Sequence, residues 1–154
     1  MKVGIKKLHE NEWLIHIGNA AVKLDEFSIA ILNITLEHLL ALEHGDTHSA
    51  LDSYIHLGER IKKLKTEDLQ KFIPMVDSRH ILNLLLTANS EELNELVLKN
   101  MGLMLAKQFE SDLANSEPPE EEDAKESIKI IIEKMFSLEA QGLVEVVNEQ
   151  TEYI

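Results

Sequence analysis

The chain has 154 residues, a mass of 17.5 kDa and a net charge of −13. This length fits one domain, or two small subdomains sharing a core, and it buries about two-thirds of its unfolded surface without a disulfide or metal staple. The absence of cysteine excludes a thiol nucleophile, thiolate zinc, iron–sulfur clusters and a disulfide scaffold, and an acidic chain is repelled by nucleic acid and anionic membranes. The first seven residues are too polar for a secretory leader. The longest apolar stretches, such as 128–136, carry lysine and glutamate and fall short of the roughly 20 residues a membrane span needs. A soluble cytoplasmic protein without membrane insertion is expected.

Residues 3–24 read as strands. Val3 and Ile5 alternate with polar neighbours, as do Trp13, Ile15 and Ile17, then Val22 and Leu24. Residues 9–12 and Gly18-Asn19 separate them as turns. A two- or three-stranded meander follows, which needs a covering helix to persist in water. Asp25 or Ser28 caps that helix, Phe27, Ile31, Ile34, Leu39 and Leu42 form its stripe, and His44-Gly45-Asp46 stops it. Asp46 or Thr47 opens a second helix, with Leu51, Tyr54, Ile55 and the 61–64 region on its inner face and basic residues from Arg60 to Lys65 at its end. A division into subdomains 1–65 and 66–154 is expected.

From Thr66 the pattern is helical with short loops. One helix spans roughly 66–75, Asp77-Ser78 caps another to about Ala88, and Asn89 or Ser90 caps a third that Asn100 breaks. A fourth runs to about Asn115. Pro118 followed by acids reads as the first turn of a long last helix, with Ala124, Ile128, Ile131, Met135 and Leu138 on one stripe and Gly142 at its end. Val144, Val146 and Val147 form a β-like tail expected to pair with the N-terminal strands. The fold class is mainly α, a short-looped helical bundle preceded by a small β-meander plus helices, and α+β overall.

Catalytic patterns are sparse. There is no phosphate-binding glycine loop, dinucleotide fingerprint or nucleophile elbow. His44 and His48 are four apart, with His38 and His56 flanking, but Gly45-Asp46 interrupts the helix face that zinc chelation requires. The run Glu120-Glu121-Glu122-Asp123 is a solvated helix start, not a pair of carboxylates in contrasting environments. No catalytic residue, metal or cofactor is expected. Met101, Leu103, Met104, Leu105 and Phe109 exceed what one buried helix face requires. Either this helix is covered on two sides, for instance by the N-terminal strands, or it offers a surface to a partner.

Several segments together carry a family resemblance. They are Leu69-Gln70-Lys71, Val76-Asp77-Ser78, the apolar helix through Leu86, Ser90-Glu91-Glu92-Leu93, Leu98-Lys99-Asn100-Met101, Asp112-Leu113-Ala114-Asn115, Pro118, and the long helix ending at Gly142. In order and spacing, residues 66–147 resemble the C-terminal domain of the flagellar rotor switch protein FliG. The resemblance implies a compact helical domain on the rotor ring that works by protein contact, with a charged ridge transmitting torque from the stator. The ridge cations it implies fall at Thr87, Met104 and Glu120, and the acidic pair at Ser111 and Asp112, so only Asp112 keeps its charge. Pro74 interrupts a helix that is continuous in the family.

Three functions follow as expectations. The first is a non-enzymatic adaptor or assembly module, with a partner surface at Met101, Met104, Leu105, Gln108, Ser111 and Asp112 and with rotor components, stator components or a second copy as partners. The second is a divergent torque-generating rotor subunit. The third is a small metal-dependent enzyme using His38, His44, His48 and His56.

Overall fold

The structure, a computed structural model, describes residues 1–45 and 49–147. The chain forms two compact units, residues 1–53 and Tyr54 onward.

In the first unit, β1 (Val3–His9), β2 (Glu12–Ile17) and β3 (Ala20–Leu24) form an antiparallel sheet in sequence order. The register aligns Val3, Ile17 and Ala20 in one row, Ile5, Ile15 and Val22 in the next, and Lys7, Trp13 and Leu24 in the third. Directly opposed residues share a face, so most apolar strand residues lie on one side, with Leu14 and Ala21 on the other. The Lys7 ammonium sits 5.0 Å from the Trp13 ring centroid, within cation–π range. Gly18 turns the β2–β3 hairpin at φ +61, a left-handed geometry that costs glycine no side-chain clash.

Helix α1 (Glu26–Ala41) follows at once. Its first amides are capped twice: Asp25 accepts from the Ser28 N–H at 2.8 Å, and Asn11 Oδ1 accepts from the Glu26 N–H at 2.8 Å. The helix lies against β2 and β3 and buries Phe27, Ala30 and Ile34, as Ile15 is buried on the sheet. Two expectations need correction. Leu39 is 47% exposed and off the buried stripe. The helix also ends at Ala41, before His44, because Leu42 turns extended and its N–H bonds the Leu39 carbonyl. The expected cap at Asp46 or Thr47 lies outside the described residues.

Helix α2 (Ala50–Gly58) runs into a 3-10 turn at Glu59–Lys63. The expected inner position of the 61–64 region holds at Ile61 and Leu64, but within α2 itself the inner face is rotated from the expected one. Ser53, Leu57, Ile61 and Leu64 are buried, whereas Leu51, Tyr54 and Ile55 are half-buried. Ser53 accepts from the Thr35 hydroxyl at 3.4 Å, which lets a serine occupy a position that apolar periodicity passes over.

The second unit adds α3 (Thr66–Phe72), a 3-10 turn at Ile73–Met75, α4 (Ser78–Ala88), α5 (Glu91–Lys99), α6 (Leu103–Asn115) and α7 (Glu121–Ala140). Pro74 ends the α-helical geometry of α3, as expected, and the chain finishes the segment as 3-10. Asp77 and Ser90 cap α4 and α5 through the Arg79 and Leu93 amides. Helix α4 runs along α7. Ile81, Leu84 and Leu85 on α4 and Ala124, Ile128, Ile131, Ile132 and Met135 on α7 are all buried. Ser127, also buried, is satisfied by Asn83 Nδ2 at 2.9 Å and His80 Nδ1 at 3.0 Å.

Pro118 and Pro119 precede α7 instead of opening its first turn, since a residue before proline is driven to extended backbone and the N-cap falls at Glu120. At the other end, the Gly142 N–H bonds the Glu139 carbonyl and the Leu143 N–H bonds the Leu138 carbonyl, with Gly142 at φ +72. This is a Schellman cap. Gly142→Ala is expected to destabilise the unit by about 1 kcal/mol, the cost of a Cβ in left-handed backbone; an unchanged denaturation midpoint would contradict it.

The tail does not pair as expected. Val146 bridges Leu64 antiparallel, the Val147 N–H bonds the Lys63 carbonyl at 2.9 Å, and the Glu145 N–H bonds Asp68 Oδ2 at 2.9 Å. Lys65 and Glu145 form an ion pair. The extended backbone of Leu64 and Lys65, between the 3-10 turn and α3, supplies the edge that the tail needs. Among the described residues, no helix is long and apolar enough to cross a membrane.

Candidate functional site

Helix α6 buries Ala106 and Phe109, and Leu113 one turn later is half-buried. At 3.6 residues per turn, the opposite face carries Met104, Gln108, Ser111 and Asn115, with Leu105 and Asp112 along one flank and Leu103 on the other. Met104 is 87% exposed and Leu103 is 73% exposed. The polar members are tied along the helix: Gln108 Nε2 donates to Asp112 Oδ1 at 3.0 Å, and Asn115 Nδ2 donates to the Ser111 carbonyl at 2.9 Å. Helix α6 starts at Gly102 with no side-chain cap. Met101 lies before the helix, half-buried, and is not on the stripe.

The surface therefore joins a protruding methionine and leucine to uncharged polar groups and one carboxylate. Lys107, exposed on the Leu103 flank one turn from Met104 and Ser111, adds one cation beside the stripe. The remaining ridge positions are scattered. Thr87 sits in the last turn of α4, half-buried, where its hydroxyl donates to the Asn83 carbonyl at 2.7 Å. Glu120 is the exposed N-cap residue of α7.

The acidic run at the start of α7 is exposed, and Lys125 neutralises part of it through Glu121 at 3.1 Å and Glu122 at 3.7 Å. Lys125 titrates above its ordinary value, chiefly because its ammonium donates a hydrogen bond to Glu121; desolvation opposes this, and the charges of Glu121, Glu122 and Tyr54 add to it. Its ammonium also lies 5.7 Å from the Tyr54 ring centroid. Negative charge in a first helical turn is favoured by the helix dipole, so the run has a structural use. Of the histidines considered for metal binding, His38 is half-buried, His44 and His56 are exposed, and His48 lies outside the described residues. Among the described residues, no three histidine, aspartate or glutamate side chains are placed to hold a metal ion.

The FliG C-terminal domain family matches the chain over residues 37–146. The match begins well before residue 66 and takes in the C-terminal end of α1, from residue 37, and all of α2. No curated protein shows significant similarity to the chain. With most of its length matched, the chain belongs to the FliG C-terminal domain family.

Proposed function

We propose that this chain is a non-enzymatic protein-interaction module of the FliG C-terminal type, a cytoplasmic adaptor or assembly protein that binds its partner through the solvent face of α6. The observation that carries this reading is Met104, 87% exposed at the centre of that face. Methionine adapts to irregular partner surfaces, and a protruding apolar side chain framed by polar groups has the layout of an interface anchor. Torque by charge attraction requires complementary charges on an exposed face. A stripe of Met104, Gln108, Ser111 and Asn115 offers none, and of the two charges that flank it, Lys107 and Asp112, the carboxylate already holds Gln108. The chain would thus keep the family's fold and contact chemistry without its charge ridge.

Capture of partners from native cells with the wild-type chain and with Met104→Lys tests this. The substitution should lower recovery of the bound partner at least about fivefold, the loss expected when an interface anchor worth more than 1 kcal/mol is removed. The melting temperature should not move, because position 104 is exposed. Equal recovery by both proteins would overturn the reading. Rotor-ring or stator proteins among the captured partners would place the module in a flagellar motor.

A divergent rotor subunit is the second reading, favoured by family membership and by the retained Asp112. A deletion strain that swims normally would exclude it.

A further inference from the structure

The side of the sheet turned away from α1 is polar and open. Ile15 is buried on the α1 side, so its strand neighbours Leu14 and His16 lie on the reverse. The register sets two rows there: Gly4, His16 and Ala21, then Lys6, Leu14 and Lys23. Leu14 is half-buried and the other five are exposed. A Cβ on Gly4 would meet nothing within 4 Å, so the space above this face is empty. Lys6 and Lys23 stand on the two outer strands with an apolar residue between them, about 9–10 Å apart by two strand spacings. Glu12, on the same side, holds Lys23 at 3.1 Å. Among the described residues, Lys6 has no acidic partner. Residues 1–24 carry four lysines against two glutamates in a chain of net charge −13.

The solvent side of α7 carries the complementary pattern. Glu126, Ile130 and Glu133 are all exposed, and Ile130 is the exposed member of an otherwise buried apolar set. At 3.6 residues per turn the three fall in one narrow stripe. Glu126 and Glu133 are separated by about 10.5 Å along the axis, seven residues of helix, with Ile130 between them. Lys129 flanks the stripe and reaches Glu133 at 3.7 Å, whereas Glu126 has no basic partner among the described residues. A helix laid across the strands thus sets one glutamate on each lysine and Ile130 on Leu14. An extended segment fits worse, since two acids flanking one apolar residue on the same face of a strand are about 13 Å apart. Charge and spacing together name an occupant that the sequence itself supplies.

We propose that Lys6, Leu14 and Lys23 of one copy dock on Glu126, Ile130 and Glu133 of a second copy. The two surfaces differ, so the contact is heterologous and head-to-tail, and it closes into a ring or grows as an open array. It is separate from the α6 surface and does not depend on the function assigned to that helix.

Sedimentation equilibrium tests this with exchanged charges. The wild type should associate as its concentration rises. Lys6→Glu combined with Lys23→Glu should weaken association at least about tenfold, and so should Glu126→Lys combined with Glu133→Lys. The chain carrying all four substitutions should regain it, because each pair is restored with opposite sign. Lys7→Glu, on the α1 side of the sheet, should leave it intact. Circular dichroism checks that the variants are folded, and crosslinking decides where one is not. The chain lacks cysteine, so single thiols can be introduced. Ala21→Cys in one copy and Ile130→Cys in a size-tagged second copy should join through a short bismaleimide, whereas Val22→Cys in place of Ala21→Cys should not. A wild type that stays monomeric at every concentration overturns the proposal, as does a fourfold variant that is folded yet dissociated, or equal crosslinking from positions 21 and 22. Association abolished by Met104→Lys but kept by the Lys6 and Lys23 pair of substitutions would assign it to α6 and also overturn the proposal.

Discussion

Ile128→Ala is expected to lower the stability of the helical unit by about 2–5 kcal/mol, while Ile130→Ala, two residues away, should change it by no more than about 0.5 kcal/mol. The two residues belong to one run, 128–132, in which four of five side chains are isoleucine. Ile128 is fully buried on the side of α7 that faces α4, and Ile130 is 36% exposed. Truncating Ile128 removes transfer free energy and leaves a cavity between two rigid helices, whose walls relax only partly. Truncating Ile130 opens no cavity, and alanine's better helix propensity offsets part of the lost contact. Urea denaturation, read on the transition that melts the helical unit, measures both. A shared m value with a lower midpoint for Ile128→Ala alone is the expected result. Comparable losses at both positions would mean that the buried face of α7 is assigned wrongly.

That face was legible because α7 is long and its period is unbroken. Ala124, Ile128, Ile131, Met135 and Leu138 were all expected inside, and all are buried. The meander was legible for the same reason at period two, and Asp25, Asp77 and Ser90 announced their helices through side chains that cap them. Misreadings arise where burial does not depend on an apolar side chain. On α2 the inner face runs through Ser53, Leu57 and Gly58; a serine that bonds Thr35 and a glycine carry no hydrophobic signal, so Tyr54 and Ile55 attracted the assignment instead. In the tail, the alternation of Val144 and Val146 marks extended backbone, but a period cannot name the partner strand. Leu64 became that partner because two extended residues separate a 3-10 turn from α3. For α6, sequence identifies an excess of apolar residues and does not decide which are covered. Ala106 and Phe109 take the inside, and Leu103 and Met104 are left out. A small residue such as Ala106 on the buried side lets a helix approach its neighbours closely, a preference that hydropathy does not register.

Gly58 carries the same lesson into a second large effect: Gly58→Val should destabilise the helical unit by about 3 kcal/mol and Gly58→Ala by about 1 kcal/mol. Backbone geometry does not require glycine there, since φ −59 and ψ −33 are ordinary right-handed helix. Considered alone, alanine should stabilise this helical position by up to about 1 kcal/mol. Space argues the other way. A Cβ on Gly58 would come within 2.7 Å of Leu84 Cδ1 and 3.4 Å of Ile128 Cγ2. The end of a leucine can usually swing aside, but Leu84 is fully buried on α4 and Ile128 is fully buried on α7, so the displaced methyl has no free volume to enter. Alanine therefore trades a propensity gain against a forced rotamer and loses slightly. Valine adds a branch toward Ile128 and meets both helices at once. The order of midpoints, glycine above alanine above valine, is the measurable outcome. If alanine matched or exceeded glycine, helix propensity would outweigh the clash, and the packing of α2 against α4 and α7 would be looser than these distances indicate. A Leu84→Ala, Gly58→Ala double variant separates the causes. If the clash is real, the double variant should lose less than the two single variants summed, because the shortened residue 84 makes room for the new methyl.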